Sequence, residues 1–365
     1  MAEIKKRISA IKKALTTPEP EEPKVNMDVV VSSGSTLLDL AISGTERRGG
    51  GIPGGILVEI FGPSGWGKTT ILGEICASVQ FNGGFAMIGD AERRMTSTWI
   101  KKMGINVGPK NLRLPHTIDD LEELIFDTPE TGEGIIDIVG VDSIASLISS
   151  AELVKTKMKV DGEETEIQSM KKDKRGSAKA KDLHSLCRRA KIEMAKKNRL
   201  IVFTNQIQDV QTEPGMMNFG PKEKTPGGNA VPFFSSLRLR VGPSPNGSKI
   251  TKKIKLGQKE IIQQVGIKSG VYVFKSSIDT PYREADVCTM FDIGMDDIRA
   301  NLEYIKKMTV SSMYWAYDKE FKALDDAIHH IENNNLENEL RDAVIDLWEE
   351  IQNKFKVERK EKVRR

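Results

Sequence analysis

The chain has 365 residues, enough for a full core with appendages, and a net charge of +3 from 55 basic and 52 acidic side chains. A balance this close excludes a uniformly basic nucleic-acid binder, so any such role must rest on local clusters. No apolar run reaches membrane-spanning length and none follows the basic start Lys5-Lys6-Arg7, so a cytoplasmic protein without membrane contact is expected; Cys76, Cys187 and Cys288 are too scattered for a disulfide framework or a zinc site.

Residues 1–27 carry one apolar stripe, Ile4, Ile8, Ile11 and Leu15, ringed by lysines and followed by a proline-rich acidic linker from Thr16 to Pro23. This is an amphipathic helix without a core of its own. It needs a groove either on its own body or on a neighbouring subunit, where it would serve oligomerisation. From Val29 the chain alternates strand and helix signals, as an α/β core with a mostly parallel central sheet requires, and this core is expected over residues 28–295.

The central signal is Gly62-Pro63-Ser64-Gly65-Trp66-Gly67-Lys68-Thr69-Thr70, which fills the pattern G-x-x-x-x-G-K-[ST]. The apolar run Ile56–Phe61 precedes it, and Ile71, Leu72, Ile75 and Val79 follow at helical spacing. Strand, loop and helix together make a P-loop NTPase core that holds ATP: the glycines let backbone N–H groups point at phosphates, Lys68 reaches the β- and γ-phosphates, and Thr69 ligates Mg²⁺. Three later apolar runs end in polar residues, at Asp90-Ala91-Glu92, Asp142-Ser143 and Asn205-Gln206-Ile207. Open α/β sheets place ligands at such carboxyl ends. Asp142 is the expected partner of Thr69 at the metal, and Glu92 a candidate for activating the attacking water.

Between Ser150 and Ser177 lies a long charged segment with Lys155, Lys157, Lys159, Lys171, Lys172, Lys174 and Arg175, broken by Asp161-Gly162-Glu163-Glu164. A second stretch, Gln208 to Pro226, sets Met216, Met217 and Phe219 among glycines and polar residues, with Lys222 and Lys224 after them. Apolar wedges beside lysines suit parted bases and their phosphates; buried loop anchors are the alternative. Residues 296–365 are helical in pattern and end in a basic tail, Lys354 to Arg365, so a small helical C-terminal domain is expected.

In their order along residues 30–295 these motifs resemble the RecA-type homologous-recombination ATPases, with a phage or otherwise divergent member expected. The approach Ser33-Gly34-Ser35-Thr36-Leu37-Leu38-Asp39, Gly51-Ile52-Pro53-Gly54-Gly55, the phosphate loop, Asp90-Ala91-Glu92, Val141-Asp142-Ser143, Asn205-Gln206-Ile207 and Gly227-Gly228-Asn229-Ala230 all fall in the family's sequence. The resemblance implies that Glu92 is the catalytic carboxylate and that Gln206 senses the γ-phosphate and reports to the DNA-binding loop after it. It implies that Trp99 stacks on adenine, against a core position beside Ile100 and Met103. Residues 151–177 and 208–226 become the two DNA-binding loops, and Lys181 and Arg188 basic positions that face DNA, although Arg188-Arg189 also fits a solvated face. Phe233 falls at the subunit interface. Lys275 would reach a neighbour's γ-phosphate, while Ser277 stands where the family has a second lysine. A filament on single-stranded DNA follows, pairing with homologous duplex and served by single-strand-binding or mediator proteins. A ring helicase or another ATPase of the same fold is the alternative.

Overall fold

The computed structural model describes residues 27–150, 153–160, 163–170, 175–209, 223–357 and 359, with the side chains of 153–160, 163–170, 175–177 and 209 left aside. The N-terminal stripe, Lys171, Lys172, Lys174, Met216, Met217, Phe219, Lys222 and the end of the basic tail lie outside the described residues.

One sheet organises the core. Its strands are β1 (Leu57–Phe61), β2 (Ala86–Asp90), β3 (Leu112–Arg113), β4 (Ile138–Asp142), β5 (Leu200–Asn205), β6 (Leu237–Pro243), β7 (Lys249–Leu256), β8 (Lys259–Ser276), β9 (Glu284–Met290) and β10 (Gly294–Met295). Their order is β10-β9-β8-β6-β1-β5-β4-β2-β3, with β7 paired to β8 alone. From β6 to β3 neighbours run parallel, and β8, β9 and β10 close the other side antiparallel. The parallel strands β1, β2, β4 and β5 are buried throughout, which is why they read as near-continuous apolar runs in the sequence. The register sets Phe61 beside Asn205 and Asp90 beside Asp142, so the polar strand ends share one edge of the sheet.

Helices cover both faces. On one lie α1 (Thr36–Ser43) and α2 (Lys68–Phe81), whose Leu38, Leu40, Ile71, Leu72 and Ile75 join a core with Val58, Ile60 and Ile138. On the other, α4 (Ile118–Asp127) and α5 (Arg175–Lys197) bury Leu121, Ile125, Leu183 and Leu186 against Val139, Ile201 and Phe203. Between α2 and α4 lies the short α3 (Ser97–Lys102); α6 (Ala230–Phe234) precedes β6. The C-terminal part consists of α7 (Asp297–Met308), a strand pair Tyr314–Ala316 and Lys319–Phe321, α8 (Leu324–Asn334) and α9 (Glu337–Lys354). It shares the first core through Leu302, Ile331, Val344 and Trp348. Asp297 ties it to the start of α1, accepting from Thr36 N at 2.8 Å and Thr36 Oγ1 at 2.6 Å. Among the described residues no helix is long and apolar enough to cross a membrane.

The segment expected as a long first loop differs from that reading. Leu153–Val160 and Glu163–Met170 pair as an antiparallel hairpin that sets Lys157 opposite Glu166 and Lys159 opposite Glu164. The polar–apolar alternation of this segment therefore encodes a strand pair and not only a basic stretch.

Candidate nucleotide site and DNA-facing elements

The phosphate loop follows directly from its glycines. Gly62 has φ +149°, and a Cβ there would stand 1.9 Å from the Val241 carbonyl oxygen, so only glycine lets the loop leave β1 this close to β6. Gly67, at φ +84°, caps the start of α2, whose free N–H groups and dipole face the loop. A Cβ at Gly65 would meet nothing within 4 Å, which leaves open space over the cradle. Lys68 Nζ donates to the carbonyls of Gly62 at 2.9 Å and Pro63 at 2.7 Å. Burial pushes its pKa down, against the attraction of Asp142 and Glu92.

Asp142 ends β4 with a cis peptide to Ser143. It accepts from Thr69 Oγ1 at 2.8 Å and from the Thr204 hydroxyl. Burial pushes its pKa up, opposed by those two hydroxyl bonds and aided by Glu92 and Asp90. Among the described residues no three His, Cys, Asp or Glu converge on one metal position. The Thr69 hydroxyl and the Asp142 carboxylate, 2.8 Å apart at the start of α2, are hard oxygen donors of the kind that fit a Mg²⁺ whose other ligands come from phosphate and water.

Glu92 sits in a turn built by Asp90, whose carboxylate accepts the backbone N–H of Arg94 at 3.0 Å and of Met95 at 2.9 Å, while Glu92 N donates to Asp142 O at 3.0 Å. The Glu92 side chain is 9% exposed and both its oxygens are engaged: Gln206 Nε2 donates to Oε1 at 3.0 Å, and Arg94 Nη1 stands 2.9 Å from Oε2. Gln206 in turn follows Asn205, whose buried amide donates to Glu59 Oε1 at 2.9 Å and to the Pro226 carbonyl at 3.2 Å. Glu59, wholly buried in β1, pairs with Arg238 Nε at 2.6 Å, and that guanidinium lies 4.4 Å from the Phe61 ring centre and 5.2 Å from that of Phe274.

The second loop leaves this site at once. Gln208 pairs with Lys224 and Asp209 with Glu223, so both legs of the 208–226 stretch stand side by side next to Gln206. Arg240 holds the returning leg by a bidentate bond to Glu223 at 2.8 and 2.9 Å, which lowers the pKa of that carboxyl.

The remaining sequence candidates are more dispersed. Trp99 is half-buried on α3, its indole against Gly73 of α2 and beside Met103. Lys181 and Arg188, seven residues apart on α5, are exposed opposite its buried Leu183, Leu186 and Cys187. Arg175 opens that helix. Phe233 is 72% exposed on α6. Lys275 is not at its own chain's phosphate loop: the register puts it level with Arg238 and Glu59, two strands from β1, and its Nζ donates to the carbonyls of Pro232 and Phe233 at 3.0 Å. Sequence reasoning missed Arg94, Thr204 and the Asn205–Glu59–Arg238 chain. One signal was present: a carboxylate inside the apolar run Ile56–Phe61 demands a buried partner.

The model of the RecA N-terminal domain matches residues 3–296. Protein RecA of Thermus aquaticus is 33% identical over 290 residues, 76% of this chain and 71% of that protein. Protein RecA of Halalkalibacterium halodurans is 29% identical over 308 residues, covering 80% and 74%, and that of Bacillus thuringiensis 30% over 320 residues, covering 83% and 78%. With the phosphate loop, Glu92, Asp142 and Gln206 gathered at one sheet edge, the chain belongs to the RecA family, the DNA-dependent ATPases of homologous recombination and repair.

Proposed function

We propose that this chain polymerises as a helical filament on single-stranded DNA and pairs it with homologous duplex, and that ATP binding and hydrolysis switch it between tight and weak grip on DNA. Lys68 and the loop amides hold the phosphates, and Trp99 stacks on adenine from its seat against Gly73. Thr69 and Asp142 hold Mg²⁺, which when bound neutralises charge on the phosphates. Glu92 orients the attacking water and takes its proton, in a site where that carboxylate is shielded from bulk solvent. Lys275 serves a neighbouring subunit once it leaves the Pro232 and Phe233 carbonyls, with Ser277 in place of a second cation. Lys171, Lys172, Lys174, Arg175, Lys181, Arg188, Lys222 and Lys224 meet DNA phosphates, while Met216, Met217 and Phe219 part the bases. The N-terminal stripe docks on the adjacent subunit, mediator or single-strand-binding proteins assist loading, and the protein works in the cytoplasm.

The observation that carries this reading is the bond from Gln206 to Glu92 at 3.0 Å, because the stem of the second loop begins two residues later at Gln208. One side chain thus stands between the hydrolytic carboxylate and the DNA-facing loop. The test is electron microscopy with single-stranded DNA and a non-hydrolysable ATP analogue, together with ATP turnover with and without that DNA. Helical filaments and DNA-stimulated turnover are expected; closed rings, or turnover indifferent to DNA, overturn the reading.

A further inference from the structure

The stem of the second loop is held unequally on its two sides. Its returning leg is tied to rigid elements: Arg240 of β6 grips Glu223 through Nε at 2.9 Å and Nη2 at 2.8 Å, and Asn205 of β5 donates to the Pro226 carbonyl at 3.2 Å. The next two residues lie hard against α5, where a Cβ on Gly227 would stand 2.7 Å from Leu183 Cδ1 and one on Gly228 2.8 Å from Ala180 Cβ. The outgoing leg instead follows directly from Gln206, whose side chain reaches Glu92 at the nucleotide site. One leg is anchored in the sheet and the other hangs on the residue beside the phosphates.

The pattern of β6 accounts for the place of Arg240. Leu237, Leu239 and Val241 are buried, and Arg238 and Arg240 alternate with them on the opposite face. Arg238 is committed to the buried Glu59, while Arg240 extends to the loop. Arg240 also stands level with Phe61 of β1, and the carbonyl of the next residue, Val241, walls the phosphate loop at Gly62. Adjacent residues of one strand thus touch the phosphate loop and hold the returning leg. The Arg240 and Glu223 side chains are 34% and 35% exposed, so their pairing adds little to the stability of the fold. What two parallel N–H···O bonds add is direction, because a guanidinium fork fits a carboxylate in one orientation.

We propose that Arg240 is a positioning residue for the switch between ATP and DNA: it pins the returning leg, so that a displacement of Gln206 moves the outgoing leg against a fixed partner. Without the pin the two legs shift together, and a change at the nucleotide reaches DNA only weakly. The inference deepens the reading that Gln206 links ATP to the loop, and it rests on that reading.

The test uses the full chain with the charge reversals Arg240→Glu and Glu223→Arg, the two combined, and the milder Glu223→Gln. Single-stranded DNA affinity is measured with a non-hydrolysable ATP analogue and with ADP at one salt concentration. In each single variant the ratio of the two affinities is expected to fall at least about fivefold, the low end of the coupling between linked sites. The combined reversal is expected to restore most of the wild-type ratio, because it re-forms the pair with its charges exchanged. Affinity for the ATP analogue without DNA stays at the wild-type value in all four. Wild-type ratios in the single variants overturn the proposal. So does a loss of DNA affinity that is equal with both nucleotides, which would make the pair a contact that shapes the loop and transmits nothing. A ratio that stays low in the combined reversal overturns it as well, since charge pairing would not be the cause. A wild-type chain that binds DNA equally with both nucleotides would remove the Gln206 reading and this proposal with it, a failure distinct from the other three.

Discussion

Gln206 Nε2 and Glu92 Oε1 lie 3.0 Å apart, so the residue at the end of β5 and the carboxylate after β2 are joined across the intervening β4. A ligand that draws Gln206 away must act on both Glu92 and the loop stem that starts at Gln208. Coupling between two binding sites is reciprocal, so the link can be read from either ligand.

Gln206→Ala is expected to leave ATP affinity and basal DNA affinity near wild type. It should abolish the difference in single-stranded DNA affinity between the protein bound to a non-hydrolysable ATP analogue and the protein bound to ADP. Titrations at one fixed salt concentration check this, because phosphate contacts are salt-sensitive. A variant that keeps the wild-type ratio would remove Gln206 from the switch.

Glu92→Gln keeps the shape of the site and removes the proton acceptor, so ATP and DNA binding should persist while turnover falls by about 10²-fold or more. Arg94→Ala should act in the opposite sense. Its guanidinium is 69% exposed yet occupies Glu92 Oε2 at 2.9 Å, and freeing that oxygen should raise DNA-free turnover severalfold at unchanged ATP affinity. Steady-state hydrolysis of the two variants side by side decides; a lower DNA-free rate in Arg94→Ala would mean that the arginine serves the reaction.

Arg238→Met should cost about 3–5 kcal/mol of stability, because it strands the Glu59 carboxylate inside the sheet. The double change Arg238→Met with Glu59→Gln should recover most of that loss, since the glutamine oxygen still accepts from Asn205. Denaturant unfolding of the wild type, the single and the double variants measures the coupling; additive losses would show that the pair is not the cause.

Asp39 tests burial through pH. It accepts from Ser32 Oγ at 2.5 Å, Ser33 N at 2.8 Å and Ser33 Oγ at 2.6 Å, yet burial pushes its pKa up to about 6. The fold then favours the protonated form, so its stabilising contribution is complete below the unfolded value near 3.8 and is lost as pH rises through about 6. The loss is at most about 3 kcal/mol for a shift of that size. Asp39→Asn should remove this dependence, and thermal melts of both proteins from pH 4 to 7 should converge at the acid end and part above it. Parallel curves would show that Asp39 is ionised throughout.

The phosphate loop was legible because its chemistry is local: glycines and Lys68 at fixed spacing, between a strand and a helix that the apolar pattern already marked. The same holds for Asp142, which closes a strand whose apolar run is unbroken, and for Glu92, two residues past the end of another. What the sequence hid depends on distant register. Arg94 looks like one more surface cation until the turn held by Asp90 brings it back to Glu92. The hairpin at 153–170 was masked by its charge, which outweighed its period-two alternation. Lys249–Lys259 matches no nucleotide motif, and only the pairing of β7 with β8 turns scattered lysines into one projecting element.

The buried Glu59 also bears on how the chain reaches its fold. Its partners Asn205 and Arg238 lie on the strands that flank β1 on either side, yet 146 and 179 residues away along the sequence. Contacts of such separation close late and slowly. A slip of β1 by one residue against either neighbour turns Glu59 to the opposite face of the sheet, where neither the amide nor the guanidinium can reach it. Each misaligned pairing then carries a bare carboxylate into the core, and the charge that looks out of place in an apolar strand acts as a proofreader of strand alignment during folding.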